Sequence, residues 1–585
     1  MATLQTRVQD TRSRRSDHQQ LMEAATRYYT EADRTDDVRL LKKSGQLAFQ
    51  AWQANSSFIP GINLLARIAM RQGKFDEAQH WLNEGLALRP ESTGLLYSAG
   101  HLALTEGDID RAEHYFAEAS RISRVSTKAP LYLAHIRLLK GEYLEAFQLY
   151  RELVKTNAND SQVRNKLFEA ASYIVADFYS QELEEELLRW FDFDDVDHSQ
   201  LRSLSTSLLQ HKLRLSEAGC PLEAEDIAND PLLNKALTSL YFCDPVIERL
   251  LMTMRQSILI SSSRSLAINS DYLPFVIALA TQCELNEAVW YITPDEQALV
   301  SQLNQLTSKV LSLETIEAAD VSALLLLTMM YQPLRRAPFF EQLCARSLTW
   351  SPQLQPLMEL ALAQPQQLQQ LAQNIPSFGI SSDQISDRVR EQYEQHPYPR
   401  WNSLGYNQPS DYYASLQALF PGKLDDLETP RNGVSVLVAG CGTGRHALRL
   451  ARYFNQMQVT AIDLSLTSLA YALWQAEKYR LNIDFIQGDI LRAEMLGQTY
   501  DVIESSGVLH HMLVPEQGLN ALIERLRPGG VMKLALYSRQ ARTLVRELRD
   551  ELSGQIPETD AEIRTVREVL LQNQDQRWSA VLQSS

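Results

Sequence analysis

Glycines stand at positions 73, 107 and 141, and 34 residues separate each from the next (107 − 73 and 141 − 107). Ala78, Ala112 and Ala146 keep the same interval, as do Phe75, Ile109 and Tyr143, and Leu82, Phe116 and Tyr150. The segments GKFDEAQHWL, GDIDRAEHYF and GEYLEAFQLY align without a gap. A repeat of this length holds two short helices and a turn. One such unit cannot bury its apolar face alone, so three must stack. The glycine belongs in the turn between paired helices, the alanine where they approach, and the large residue behind it fills the gap. Much of the N-terminal third is thereby committed to a helical solenoid.

The spacing and the aligned residues resemble the tetratricopeptide repeat (TPR). Units are placed at 59–92, 93–126 and 127–160, within a repeat region of 21–160 that follows a flexible N-terminus of residues 1–20. In that family the first helix of each unit lines a concave groove. The matching positions, Asn63, Arg67, Tyr97, His101 and His135, are candidates for holding a protein or peptide partner or a second copy of the chain. A solvated groove that only supports the fold is the competing reading. His101 and His135 occupy equivalent repeat positions, but no cysteine or carboxylate completes a ligand set, so no metal is expected.

From 161 to 375 helical periodicity continues without an alignable repeat, which reads as a further helical domain. Asp230 and Asp244 each precede proline and a helical run, as N-caps do. Glu184-Glu185-Glu186 and Asp194-Asp195 read as a solvated face. VSALLLLTMMY at 321–331 is too short to span a bilayer and reads as a buried helix. The N-terminus lacks the apolar core of a secretory signal. The five cysteines show no C-x-x-C pair and read as reduced thiols, which places the chain in the cytoplasm. A formal net charge of −16 argues against general nucleic-acid binding.

After a glutamine-rich run, a linker at 376–426 carries HPYPRW, whose X-Pro steps hold it extended. It reads either as a packed linker or as a lid, with Tyr393, Tyr398 and Trp401 near a ligand. Then the pattern changes. VSVLVAG, QVTAID, IDFIQGD, YDVIESSG and VMKLALYS are strands alternating with helices, over a domain placed at 427–540. That alternation predicts a parallel, doubly wound α/β sheet with its ligand at the carboxyl ends of the strands. At the first of these ends lies Gly440-Cys441-Gly442-Thr443-Gly444. Three glycines in five residues let a ligand approach the backbone and leave helix N–H groups free. The spacing fits a dinucleotide fingerprint poorly, since Arg445 stands where its third glycine belongs.

GCGTG, TAID, QGD, SSGVLHHM and LRPGG, in this order, resemble the class I methyltransferases that use S-adenosyl-L-methionine (SAM), with a Rossmann-like fold. Together with the repeats and QHPYPRW, the chain also resembles bacterial TPR-containing methyltransferases. The resemblance implies that Gly440, Cys441, Gly442 and Gly444 hold the amino-acid end of SAM. It implies that Asp463, with Leu464 beside it, takes the ribose, and that Asp489 and Ile490 take the adenine. The stretch Ser505 to His510 then flanks the sulfonium. His510 and Tyr537 are the candidate catalytic residues, with His511 as a further base. Cys441 reads as a small filler.

The family's sheet has seven strands, and 541–585 offers only helices, so a sheet truncated by its last two strands is expected. The function these features imply is SAM-dependent methyl transfer to a protein or small-molecule acceptor, with oxygen, carbon or lysine nitrogen open as the acceptor atom. The alternative is an interaction scaffold whose methyltransferase-like domain is inactive or senses SAM.

Overall fold

The computed structural model describes residues 17–35, 37–123, 128–215, 223–379, 384–397, 400–405, 409–420, 423–424, 430, 433–552, 557, 559–573 and 577. The chain divides into two compact units, residues 1–171 and 172–585.

The first unit is a run of helices: α1 (Asp17–Thr35), α2 (Val38–Ala54), α3 (Ile59–Arg71), α4 (Phe75–Leu88), α5 (Thr93–Thr105), α6 (Ile109–Ile122), α7 (Lys128–Leu139), α8 (Tyr143–Thr156) and α9 (Ser161–Ala171). Gly73, Gly107 and Gly141 end α3, α5 and α7 with φ of 70°, 79° and 75°. In each turn the next amide reaches back five residues: Lys74 to the Ala69 carbonyl, Asp108 to Ala103 and Glu142 to Arg137, all at 2.9 Å. This C-terminal stop satisfies otherwise orphaned carbonyls, and it needs a left-handed residue, hence glycine. Ala78, Ala112 and Ala146 are fully buried, as are Leu82, Phe116 and Tyr150. Phe116 stacks on Tyr132 with ring centroids 4.6 Å apart. It leaves no room for a Cβ at Gly100, which would meet the ring at 2.6 Å. The unit extends to Ala171, because α9 packs on α8 as a further helix beyond the aligned repeats.

The second unit begins with helices from Gln181–Trp190 to Gln364–Ala372. Asp230 caps its helix by accepting from the Leu233 amide at 2.8 Å, and Asp244 by accepting from Val246 and Ile247 at 3.0 Å. Leu324 to Met329 are buried in their helix. One expectation fails here. Glu184 and Glu186 are buried, and Glu184 accepts from Tyr179 at 2.8 Å and Lys212 at 2.6 Å, so this acidic run is not a solvated face.

The sheet has six strands in the order β1-β4-β3-β2-β5-β6, and every pairing is parallel. The strands are β1 (Ser377–Gly379), β2 (Val434–Ala439), β3 (Met457–Asp463), β4 (Asp484–Gly488), β5 (Tyr500–Ser506) and β6 (Leu526–Ala535). Between and after them run α10 (Gln384–Gln395), α11 (Tyr412–Leu419), α12 (Arg445–Tyr453), α13 (Leu466–Tyr479), α14 (Pro515–Ile523), α15 (Thr543–Glu551) and α16 (Asp560–Gln572). Val436 and Val438 pack on one face with Leu448 and Leu469, while Leu437 and Ala439 pack on the other with Ile503 and Leu522. Period-two alternation in β2 thus feeds two cores, as a sheet covered on both faces requires.

Two elements differ from the sequence reading. SFG at 377–379 lies in the stretch that reads as a linker but forms edge strand β1. The Gln487 amide donates to the Pro376 carbonyl at 2.8 Å, and the Phe378 ring occupies the space over Gly488 that a Cβ would need. The strand read from VMKLALYS begins five residues earlier, so that LRPGG is the start of β6. Among the described residues no strand follows β6, which ends the strand order of the sheet. The chain returns instead to the helical region through α16. Arg567 forms a two-pronged pair with buried Glu248, one prong at 2.8 Å, Arg564 donates to the Ala288 carbonyl at 2.7 Å, and Leu570 and Leu571 pack with Met252.

Candidate active site

The glycine turn closes β2 and opens α12. Gly440, Gly442 and Gly444 have φ of 75°, 53° and 82°. A Cβ at Gly440 would meet Val508 at 2.3 Å, and one at Gly444 would meet Ala472 at 2.4 Å. Two of the glycines are therefore fixed by close packing as well as by backbone conformation. The amides of Gly440 and Cys441 donate to the Ile462 carbonyl at 2.9 and 3.0 Å, which ties the turn to the end of β3.

Asp463 ends β3 beneath this turn. One of its carboxylate oxygens accepts from the Gly442 amide at 2.7 Å and the other from the Ser465 amide at 2.9 Å. Two backbone donors aim the carboxylate and leave each oxygen a second lone pair. Burial raises the Asp463 carboxyl above its ordinary value, and the two amides oppose that shift. Burial also pushes the Cys441 thiol well up, so it stays a protonated filler. Asp489 is fully buried after β4, and its carboxylate accepts from the Leu491 amide at 2.9 Å.

These residues line one cavity of about 250 Å³. It takes Gly440, Cys441 and Gly442 from the turn, Asp463 and Leu464 from the end of β3, Asp489 and Ile490 from the end of β4, and Ser506 to Val508 after β5. Arg390 and Tyr393 reach it from α10, and His511, Met512 and Tyr537 complete it. Gly444 lies behind the turn, outside the lining. Ser505 is buried beside the cavity and Ser506 lines it, because successive residues at a strand end face opposite ways.

His510 does not line the cavity. Its ring stands 4.2 Å from His511 and 4.0 Å from Tyr537, centroid to centroid. Arg542 stacks over the Tyr537 ring, 3.6 Å from its centroid. Burial lowers the His510 imidazole, and the charges of His511 and Arg542 lower it further. His511 is lowered by burial and by Arg542. Both are thus biased toward the neutral form, which can accept a proton.

Of the three lid candidates Tyr393 lines the cavity, and Tyr398 lies outside the described residues. Trp401 sits behind the glycine turn, where its Nε1 donates to the Thr443 carbonyl at 3.0 Å. Its own carbonyl accepts from Tyr471 at 2.7 Å and Gln475 at 2.8 Å. Sequence reasoning missed Glu394. Its carboxylate accepts from the Leu466 amide at 2.6 Å and the Thr467 amide at 3.0 Å, capping α13 and pinning α10 at the cavity. A charged residue one step after Tyr393 carries no local signal of that role.

In the first unit, Asn63 accepts from Ser98 at 2.7 Å, and Arg67 lies 4.6 Å over the Tyr29 ring. Tyr97 and Tyr132 have centroids 6.2 Å apart. His101 meets Tyr132 edge-on at 4.5 Å, and burial lowers both His101 and His135. Among the described residues no group of three or more His, Cys, Asp or Glu could hold a metal ion. No described helix is long and apolar enough to cross a membrane.

Comparison with known proteins agrees with this geometry. A methyltransferase-domain family matches residues 436–530, and the tetratricopeptide repeat matches 63–126 and 97–161. An uncharacterised protein of Synechococcus sp. is 30% identical over 183 residues, covering 30% of this chain and 43% of that protein. Trans-aconitate 2-methyltransferase of Deinococcus radiodurans is 34% identical over 136 residues, covering 23% and 47%. Malonyl-[acyl-carrier protein] O-methyltransferase of Pectobacterium atrosepticum is 34% identical over 127 residues, covering 21% and 47%. The chain thus spans less than half the length of each of these three relatives. What it carries is a SAM-dependent methyltransferase domain joined to tetratricopeptide repeats.

Proposed function

We propose that this chain transfers a methyl group from SAM to a protein or small-molecule acceptor, and that the repeats bind the acceptor or a partner protein in the cytoplasm. The observation that carries the reading is the single cavity that gathers the glycine turn, Asp463, Asp489 and the His511–Tyr537 mouth. When bound there, SAM supplies a methyl group on a sulfonium that is already strongly electrophilic. Gly440 and Gly442 keep the turn free of side chains where the amino-acid end would lie. Asp463, aimed by two amides, would accept from ribose hydroxyls, and Asp489 and Ile490 would take the adenine. Arg390 lines the same cavity and would provide a cation for the cofactor carboxylate. Tyr393 covers the cavity from α10, limiting water at the reacting centre.

The protein's share of the chemistry is alignment and proton management. An acceptor at the cavity mouth would lie against Tyr537 and His511. His511, biased neutral, takes a proton from an acceptor that is protonated when it arrives. Two of the relatives are named for acting on trans-aconitate and on malonyl-[acyl-carrier protein], both carboxylic acids, which supports oxygen among the acceptor atoms.

The test uses the whole chain. Titration with SAM should raise the thermal midpoint, and Asp463→Ala should abolish the shift. Incubation of a lysate with methyl-tritiated SAM should then label protein or small molecules. SAM binding without label in either fraction would leave a sensing scaffold. No stabilisation at millimolar SAM would remove the cofactor reading altogether.

A further inference from the structure

A second cavity, of about 400 Å³, lies in the same unit on the other side of the glycine turn. Three arginines from distant parts of the sequence line it: Arg202 from the helical region, Arg400 from the HPYPRW segment, and Arg445 at the first turn of α12. Two carboxylates, Asp197 and Glu287, face them there.

Those carboxylates are already engaged. Asp197 pairs with Arg445 at 2.6 Å. Glu287 is shared among Arg400 at 3.2 Å, Arg336 at 2.9 Å and Arg335. Arg202 has no carboxylate partner among the described residues and stacks 3.9 Å over the Tyr241 ring. The Nε donors of Arg202, Arg400 and Arg445 are all buried without an acceptor among the described residues, and so is the Asn286 amide nitrogen. Burial pushes the Arg400 guanidinium below its ordinary value, and Glu287 only partly opposes it. Buried donors left unpaired and cations in excess of carboxylates are both costly. An anion in the cavity removes both costs. Leu240, Leu285, Leu360, Tyr241 and Tyr471 give the lining an apolar and aromatic part beside the polar Ser199, Ser239, Gln364 and Asn402, which suits a partly polar organic body attached to the anionic group.

We infer that this cavity is a binding site for a small organic anion, whose carboxylate or phosphate is held by Arg202, Arg400 and Arg445. Its occupancy bears on the glycine turn by two routes. Arg445 follows Gly444 directly, and Trp401, which also lines this cavity, holds the Thr443 carbonyl. An anion that draws Arg445 and Arg400 together fixes the back of the turn whose front lines the SAM cavity. The site itself does not depend on the methyltransferase reading; only its coupling to SAM does.

Calorimetric titration of the full chain with phenyl phosphate, benzoate and inorganic phosphate tests the site. Benzyl alcohol, neutral and of similar shape, is the control. Saturable binding of an aryl anion, with no heat from the alcohol, is expected. Arg202→Gln and Arg400→Gln should each weaken it at least tenfold, while Arg390→Gln, in the SAM cavity, leaves it unchanged. Thermal unfolding of each variant establishes that it is folded. Stronger binding of phenyl phosphate assigns the anionic group as phosphate, and of benzoate as carboxylate. No saturation by any anion at 10-millimolar concentrations (on the order of −3 kcal/mol of binding at most), or equal binding by the arginine variants, overturns the proposal. A SAM affinity that does not change when the cavity is saturated overturns the coupling alone.

Discussion

The Trp401 indole donates to the Thr443 carbonyl at 3.0 Å, so this residue braces the glycine turn from behind and does not line the SAM cavity. Trp401 is buried and its ring also packs edge-on against Tyr471 at 6.3 Å. Trp401→Phe keeps most of the apolar contact and removes the hydrogen bond, which contributes about 1 kcal/mol. SAM affinity should fall by roughly fivefold, in line with that energy. Trp401→Ala should destabilise the domain by about 3–5 kcal/mol. Calorimetry and urea unfolding separate the two effects. Unchanged SAM binding in the Phe variant would show that the brace does not set the turn.

Gly440 combines a left-handed backbone with a Cβ position 2.3 Å from Val508. Gly440→Ala should therefore cost about 1–3 kcal/mol in strain and overpacking and abolish measurable SAM binding. Adding Val508→Ala removes the clash but not the φ. The double variant should regain part of its stability and little of its SAM binding. Full recovery of binding would mean that packing alone, and not the turn's conformation, demands glycine there.

Glu504 in β5 is buried, yet its carboxyl is held down to about 2. Burial alone would raise it. The pairs with His446 and Lys533, and the Tyr412 hydroxyl at 2.7 Å, outweigh that penalty. A depressed carboxylate stabilises the fold above its unfolded pKa, and that contribution is lost as pH falls toward 2. The upper bound is about 3 kcal/mol. Glu504→Gln should be destabilised at pH 7 (urea unfolding), and the gap to the parent should shrink as pH drops below about 4.5. A gap constant between about pH 7 and pH 3 would refute the assignment.

The features legible in the sequence were local. The repeat glycines, β2 to β5 and the GCGTG turn each depend on residues within one or two turns of chain. What the sequence hid depends on distance or on a one-residue phase. β1 is three residues long and has no periodicity to read. Ser505 and Ser506, like His510 and His511, differ only in which way a strand end or a single helical turn points them. The docking of α16 rests on Arg567 and Glu248, 319 residues apart, and an arginine on an amphipathic helix does not announce its partner.

That pair is itself testable. Glu248 is fully buried, and burial raises its carboxyl while Arg567 opposes the rise. Arg567→Ala leaves an unpaired buried acid and should cost about 3–5 kcal/mol at neutral pH. Without the arginine, the folded-state pKa climbs further above the unfolded value. Stability is then retained at low pH and lost as pH rises, so the deficit should be larger at about pH 8 than at about pH 5. Pairing Arg567→Met with Glu248→Gln should restore most of the loss. Thermal unfolding across that range checks both the sign and the recovery.

His511 lines the SAM cavity, and burial together with Arg542 keeps its pKa below the ordinary value. A base of this kind works at neutral pH and fails only in acid. If it takes the acceptor's proton, His511→Asn should lower the rate of methyl transfer by about 10²–10⁴ with little effect on SAM affinity. The parent's rate should fall on an acid limb below about pH 6.5, and the variant's residual rate should lack that limb. His510→Asn tests the neighbour that supports this ring from outside the cavity. It should shift the acid limb, because His510 lies against both His511 and Tyr537, but retain most of the rate at pH 8. Tritium transfer from SAM, measured across pH for the three proteins, decides the matter. A full rate in His511→Asn would remove the base and leave an acceptor that arrives already ionised.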